Sequence, residues 1–142
     1  MHMSREQMDK AVNEHFGYEA ADDLDGVMAS LADKVEHEVV PSRVGILHEK
    51  SKIRAFYANL FASTKGEGVT PLKRYYGDDF MIDETMWHGE IADGAVFLCD
   101  GKKGKVSFRL LHIFEFKDGK VVREQAWCDL AAIQRQLGVK LS

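Results

Sequence analysis

The stretch that decides the fold reads Val35-Glu36-His37-Glu38-Val39-Val40 and then, after a loop, Glu49-Lys-Ser-Lys-Ile-Arg-Ala-Phe-Tyr-Ala-Asn-Leu60. Its first part predicts a β-strand, and because successive strand side chains point to opposite faces, Val35, His37 and Val39 share one face. The second part predicts an amphipathic helix, since its apolar residues recur at helical spacing: they are Ile53, Phe56, Tyr57, Leu60 and Phe61. A histidine in the middle of an apolar strand face is therefore a candidate for pocket chemistry.

Helices are predicted before this stretch and strands after it. Ser4 and Gln7 form a capping-box pattern that begins a helix of about fourteen residues, and Asp22 or Asp23 can cap a second helix. Gly66 and Gly68 are predicted to end the third helix. The period then becomes that of strands, followed by a short helix: the ranges are 69–76, 80–91, 95–99, 105–116 and 121–127, then 130–137. Helices followed by an antiparallel meander predict an α+β domain with a curved sheet.

Bulk composition narrows the class of protein. The 142 residues predict a single domain, 1–142, and the net charge of -4 argues against a nucleic-acid partner. No apolar run is long enough for a membrane span, and no signal-peptide core is present. Cys99 and Cys128 lack CxxC spacing, which favours a reduced, cytoplasmic protein.

Cofactor and metal signatures are also missing from the sequence. It contains no phosphate loop, Gly-rich dinucleotide motif or GxSxG elbow, so we expect no cofactor. The six histidines show no HxH or HxxxH spacing. His37, His112 and Asp129 could converge as a two-histidine, one-carboxylate site, but no local pattern demands it and we predict no metal.

Three segments carry a family resemblance: Leu31-Ala-Asp-Lys-Val-Glu-His37, Ile53-Arg-Ala-Phe-Tyr-Ala-Asn59 and His112-Ile-Phe-Glu-Phe-Lys-Asp-Gly-Lys-Val-Val122. With the order of elements, they resemble the nuclear transport factor 2-like superfamily, in its ketosteroid isomerase and SnoaL-like polyketide cyclase branch. The resemblance implies a cone-shaped (cystatin-like) α+β barrel, with a curved antiparallel sheet wrapped by three N-terminal helices around a deep pocket. It also implies a homodimer built on the outer sheet face, and the predicted strand 105–116, apolar on both faces, agrees with that.

The resemblance also suggests catalytic positions. The family's proton-abstracting aspartate on the first strand corresponds to His37, and a neutral imidazole is still a competent base near pH 7. The family's second acid falls near His112, which could donate a hydrogen bond to a substrate oxygen. A register error of one residue would place Leu111 there instead.

Candidates for binding the substrate follow from the same resemblance. The family's oxyanion tyrosine lies on the first helix, where either His15 or Tyr18 corresponds to it. Tyr57 is expected to supply a supporting hydrogen bond, and Trp87 to form pocket wall or core.

The last strand and the helix after it supply two more candidates. In the SnoaL-like branch an aspartate follows the last strand's tryptophan, as in Trp127-Cys128-Asp129. Trp127 is then expected to contact substrate. Asp129 either acts in catalysis or caps the terminal helix, and the sequence leaves both open.

The sequence leaves two candidate functions. One is cofactor-independent acid–base catalysis on a small hydrophobic carbonyl compound: isomerisation, aldol-type cyclisation or dehydration. His37 would move a proton with help from Asp129. The alternative is a non-catalytic small-molecule-binding or scaffold protein, which the loss of the family's strand carboxylate favours.

Overall fold

A computed structural model describes residues 2–140 of the chain. One 3-10 turn lies at Gly94–Phe97. The remaining elements follow in chain order: α1 Arg5–Ala20, α2 Leu24–Ser30, β1 Leu31–Val40, α3 Lys50–Ser63, β2 Thr64–Tyr76, β3 Phe80–Ile91, β4 Gly104–Lys117, β5 Lys120–Cys128 and α4 Leu130–Gln136.

The first two helices begin where the sequence predicts. Ser4 and Gln7 form the capping box: the Gln7 N–H donates to the Ser4 hydroxyl over 3.1 Å, and the Ser4 N–H donates to the Gln7 amide oxygen over 2.8 Å. Asp23 caps α2 by accepting from the Gly26 N–H at 2.9 Å. Such bonds satisfy backbone donors that a helix start otherwise leaves free.

The α+β architecture is confirmed, with one difference in strand direction. The five strands form one sheet in the order β1-β5-β4-β3-β2. Strand β1 pairs with β5 in parallel, whereas the other three pairings are antiparallel. On β4 the even-numbered residues from Val106 to Phe116 face the helices, and the odd-numbered residues face outward.

Two local predictions are wrong. Gly66 and Gly68 lie inside β2, because α3 ends at Ser63 and Thr64 is already extended and paired with Ile91. Residues 95–99 are not a strand: Asp93 accepts from the Ala95 N–H at 3.0 Å and initiates the 3-10 turn there.

The inner face of the sheet covers two hydrophobic cores. In the α1–α3 core, helices α1 to α3 pack on one end of the sheet, around Val12, Ile53 and Phe114. In the α4 core, α4 and the 3-10 turn pack on the other end, around Phe108 and Ile133. Strand β4 runs through both cores, so residues midway along it lie where they meet. Among the described residues, no helix is both long enough and apolar enough to span a membrane.

Candidate functional site

A buried polar cluster lies on the inner face of the sheet. We call it the Glu124 cluster, and each of its members is at most 5% exposed. Strands β5, β1 and β4 supply Glu124, His37 and His112, and helices α1 and α3 supply His15 and Tyr57. Because isolated charges are rarely buried in this way, these groups must satisfy one another or a ligand.

Glu124 is the centre of the cluster. Its Oε1 accepts a hydrogen bond from the Tyr57 hydroxyl at 2.5 Å, and its Oε2 accepts one from His15 Nε2 at 3.0 Å. The Nε2 atoms of His37 and His112 each lie 3.7 Å from a Glu124 oxygen. Burial alone would raise the pKa of Glu124, but the charge and hydrogen bond of His15 hold it well below its usual range.

His15 is an imidazolium in this arrangement. The Ser30 hydroxyl donates its proton to the Val27 carbonyl over 2.6 Å, so its oxygen must accept from His15 Nδ1 at 2.7 Å. The other ring nitrogen, Nε2, donates to Glu124. Although burial favours the neutral ring, attraction to Glu124 and Glu19 and the hydrogen bond to Glu124 raise the pKa of His15 to about 9.

The tautomer of His37 follows from the same proton count. Tyr57 gives its single hydroxyl proton to Glu124, so its oxygen accepts from His37 Nε2 at 3.1 Å. In neutral His37 the proton is therefore on Nε2, and Nδ1 has a free lone pair. Burial lowers the pKa of His37, with Glu124 opposing that shift. His37 is thus a neutral imidazole at pH 7 that can accept a proton at Nδ1.

His112 is the one cluster histidine whose ring makes no hydrogen bond to the described residues. Its Nδ1 is fully enclosed without a partner, and its Nε2 is beyond hydrogen-bond length from Glu124. The ring lies against the edge of Phe16, with centroids 4.9 Å apart, and stacks on Phe114 at 5.4 Å. Burial lowers the pKa of His112 to about 4, with Glu124 opposing, so the ring is neutral at pH 7.

Glu19 is the cluster's neighbour on the side toward solvent. Its side chain is 22% exposed, and its Oε1 lies 3.8 Å from His15 Nε2. Burial raises the pKa of Glu19 to about 7, with the charge of His15 opposing and that of Glu124 adding to the shift. Possible metal ligand atoms of His15, Glu19 and Glu124 lie within 4.8 Å of one another. A metal ion there would have to displace the Nε2 proton that His15 donates to Glu124.

The structure places two predicted site residues away from the cluster. Asp129 is exposed and caps α4, accepting from the Ala132 N–H at 3.1 Å, so it orients neither His37 nor His112. Trp127 is 47% exposed and pairs with Leu111. Since Ala126 faces inward, alternation along β5 places Trp127 on the outer face, away from the Glu124 cluster.

The structure also shows which residue of each alternative pair lies on the inner side of the molecule. His15, and not Tyr18, enters the cluster; the Tyr18 ring packs on α2, where a β-carbon on Gly26 would lie 2.3 Å from it. His112, and not Leu111, is on the inner face. Trp87 is half-buried and packs on Phe108 in the α4 core, with ring centroids 5.3 Å apart.

Sequence reasoning missed Glu124 itself. Val121 and Glu124 are both buried although they are three residues apart, because the β4–β5 register shifts between Glu115 and Phe116. Counting alternation from Val121 therefore assigns Glu124 to the wrong face. Counting backward from Ala126 would have placed it inside, between two apolar positions.

Two surface concavities, of about 670 and 400 Å³, lie elsewhere on the molecule. The larger is bounded by Leu31, Lys50 and the hairpin between β4 and β5, and the smaller by Glu36, His48 and Val122. Neither is lined by a member of the Glu124 cluster. In this structure side chains cover the cluster, whose members are at most 5% exposed, and the deep pocket that the resemblance implies stays a prediction.

Comparison with known proteins gives a family and a fold. The SnoaL-like domain family matches residues 12–124. No curated protein matches the sequence. Among solved structures, a candidate SnoaL-like polyketide cyclase from Jannaschia sp. CCS1 superposes with a TM-score of 0.80 at 16% identity, with 99% of each chain covered.

Two further structures show how varied these structural relatives are. An LEH-like epoxide hydrolase of M. tuberculosis matches with a TM-score of 0.70 at 17% identity, covering 92% of this chain and 89% of that one. A protein of ketosteroid isomerase-like fold from Catenulispora acidiphila DSM 44928, in complex with trimethylamine, matches with a TM-score of 0.73 at 14% identity, covering 92% and 93%. At such identities the similarity establishes the fold, and activity must be argued from the site.

Proposed function

The chain belongs to the SnoaL-like domain family, and from that premise we propose that it moves a proton on a small hydrophobic carbonyl compound without a cofactor, with His37 as the base. The observation that carries the proposal is the hydrogen-bonded series His37–Tyr57–Glu124–His15. It fixes the protonated nitrogen of His37 and leaves the other nitrogen free. A base held in one tautomer by a buried carboxylate is a recurring solution for proton abstraction.

The proposed proton transfer involves only the ligand and His37. A carbon–hydrogen bond next to the carbonyl breaks, the proton moves to His37 Nδ1, and the electron pair moves onto the carbonyl oxygen. The imidazolium so formed lies 3.7 Å from Glu124 Oε1, which stabilises its charge. Return of the proton to another carbon completes an isomerisation, and the same enolate can instead attack a second carbonyl in a cyclisation.

The other histidines have different roles in this proposal. His15 uses both ring nitrogens for Ser30 and Glu124, so it acts as a fixed positive charge that keeps Glu124 ionised and does not touch the ligand. The ring of His112 makes no such hydrogen bonds, and its free nitrogens make it the ligand-binding histidine. Tyr57 is a positioning residue, because it acts through His37.

Ligand entry requires the cover over the cluster to move. The half-buried rings of Phe16 and Phe56 lie against His112 and His37, with centroids 4.9 and 5.3 Å away. We propose that these two rings make way for the ligand. A histidine at position 37, where the resemblance implies a carboxylate, favours a second candidate function, non-catalytic binding.

The test is turnover on a panel of β,γ-unsaturated ketones, followed by ultraviolet absorbance of the conjugated product. We expect the wild type to be active and His37→Ala to lose roughly 10²–10⁴-fold in kcat, the usual contribution of a general base. Tyr57→Phe should lower kcat and change the pH profile, because the His37 proton then loses its acceptor. His88→Ala is the matched control: His88 bonds Thr70 and Ser107 on exposed sheet surface.

Three outcomes separate the candidates. Loss of turnover in His37→Ala with a normal His88→Ala supports the base assignment. Turnover that survives His37→Ala overturns it. Binding of ketones without turnover by the wild type supports the non-catalytic function instead.

A homodimer built on the outer sheet face is also proposed. That face presents Trp127, 47% exposed, and Phe80, 42% exposed, together with Leu111 and Ile113 on β4. Exposed apolar surface of this kind is typical of an interface. Sedimentation analysis should show a dimer for the wild type and a monomer for Trp127→Glu; a monomeric wild type contradicts the proposal.

A further inference from the structure

Two buried polar atoms of the described residues have no hydrogen-bond partner: His112 Nδ1 and Asp83 Oδ2. Their side chains are 7% and 3% exposed. Asp83 on β3 and His112 on β4 are direct partners in the antiparallel ladder, so both project from the inner face with β-carbons about 5 Å apart. Native proteins rarely leave such atoms unsatisfied, and two in register point to one missing group.

Asp83 is held rigidly on its other side. Its Oδ1 accepts from Arg74 Nε at 2.8 Å. The same guanidinium donates to Asp9 at 2.8 Å and to Asn13 at 2.7 Å, both on α1. Because Arg74 is fixed by three acceptors, Asp83 cannot rotate to satisfy Oδ2 without giving up its own partner. The free oxygen is therefore a preorganised acceptor.

His112 supplies the complementary donor. Its Nε2 lies 3.7 Å from Glu124 Oε2, beyond hydrogen-bond length, so no hydrogen bond to Glu124 holds the ring proton on Nε2. Nδ1, which has no partner among the described residues, is free to carry that proton toward a bound group. The ring itself is fixed between Phe16 and Phe114. A possible donor on β4 and a free acceptor on β3 thus belong to register partners on the inner face of the sheet.

We propose that Asp83 and His112 form a subsite for a hydroxyl group of the ligand. The hydroxyl oxygen accepts from His112 Nδ1–H, and the hydroxyl proton is donated to Asp83 Oδ2, so one group satisfies both atoms. A carbonyl or an ether oxygen can bond His112 alone and is repelled by the carboxylate oxygen. The subsite therefore selects phenols and alcohols.

This inference deepens the proposed function, and it rests on that proposal only for the carbonyl part of the substrate. The reactive compound would carry a hydroxyl group in addition to its carbonyl. Binding at the subsite does not require His37, so its failure and the failure of the proposed catalysis are distinguishable: one is measured as binding of simple phenols, the other as turnover of ketones.

The experiment compares phenol with anisole, its methyl ether, by titration calorimetry and by NMR of the histidine ring nitrogens. We expect the wild type to bind phenol at least about 10-fold more tightly than anisole, the ratio that one lost hydrogen bond to a charged group produces. The NMR spectrum of the phenol complex should show His112 protonated on Nδ1. Asp83→Asn should bring the phenol-to-anisole ratio close to 1.

Thr85→Val is the matched control. Thr85 is buried two residues along β3 on the same face and donates to the Leu110 carbonyl, so its loss should leave the ratio unchanged. Equal affinities for phenol and anisole in the wild type overturn the proposal, as does a phenol complex with His112 protonated on Nε2. A tightly held water that phenol does not displace also overturns it. The wild-type measurements decide the matter even if Asp83→Asn does not fold.

Discussion

The α1–α3 core and the α4 core are both hydrophobic and share strand β4, but only the α1–α3 core lies against a buried cluster of charged side chains. In the α4 core, β4 contributes Val106 and Phe108 to an assembly of apolar side chains. Toward the α1–α3 core it contributes His112, next to a buried carboxylate and a buried imidazolium. Four residues along one strand separate a conventional hydrophobic core from a buried ionic network.

This difference separates residues that the fold needs for stability from residues that are better explained by function. Apolar packing suffices to stabilise the α4 core, where shape and volume decide the energetics. Buried ion pairs generally stabilise no more than apolar residues of equal volume would. The Glu124 cluster is therefore best explained by what its protons and charges do.

The largest effect is expected from Glu124→Gln. The substitution leaves the His15 imidazolium buried without its carboxylate, and breaking such a pair costs about 3–5 kcal/mol of unfolding free energy. Urea denaturation at pH 7 measures it. Glu38→Gln is the control, because Glu38 bonds Gln125 at 2.6 Å without a buried cation, and it should cost under about 0.5 kcal/mol. Equal effects of the two substitutions would erase the contrast between the cores.

The next effect is a pH dependence that the α4 core cannot produce. His15 is protonated in the folded protein up to a pKa of about 9, against about 6.5 in the unfolded chain. The charged ring therefore stabilises the folded protein by on the order of 3 kcal/mol below pH 6.5, and this contribution is lost as the pH rises to 9. The raised pKa of Glu19, about 7, adds a loss of the same sign between pH 4.5 and 7.

Urea denaturation at several pH values between 6.5 and 9 measures the loss assigned to His15. His15→Gln combined with Glu124→Gln should flatten the profile over that interval, because neither glutamine titrates and no buried carboxylate is left without its cation. A wild-type free energy that stays constant from pH 6.5 to 9 would show that His15 is not held as a cation.

The smallest effect concerns Asp129, in the α4 half of the molecule. Asp129→Ala removes a helix cap and should cost about 1 kcal/mol, with turnover unchanged. Asp23→Ala offers a like-for-like comparison, since Asp23 caps α2 through the same kind of bond. If Asp129→Ala lowers kcat more than about 10-fold while Asp23→Ala does not, Asp129 acts in the site and the separation of the two regions is wrong.

Local patterns in the sequence determined the elements well. The capping box at Ser4, the helical spacing from Ile53 and the alternation of β4 depend on neighbours within a few residues. His37 and His112 were accessible for the same reason, since each is a polar residue interrupting an apolar strand face. The alternation of side chains along each strand was enough to place both histidines on the inner face of the sheet.

Local patterns could not show that these side chains come together in one site. Glu124 meets His15 across 109 positions of sequence, and its facing depends on a register shift that no local pattern shows. Asp129 illustrates the converse: the Trp-Cys-Asp order is present, but the strand ends at Cys128 and the carboxylate turns to the helix. The face that Glu124 takes depends on how β5 pairs with β4 next to the turn between them, so the residues of β5 alone do not specify it.

The central claim is that Glu124 keeps His15 charged and, through Tyr57, leaves His37 neutral with Nδ1 free. NMR of the imidazole nitrogens at pH 7.5 tests it most directly. We predict that both nitrogens of His15 are protonated, remaining so until about pH 9, and that His37 is neutral with its proton on Nε2. A neutral His15 at pH 7.5, or a His37 protonated on Nδ1, would contradict the account.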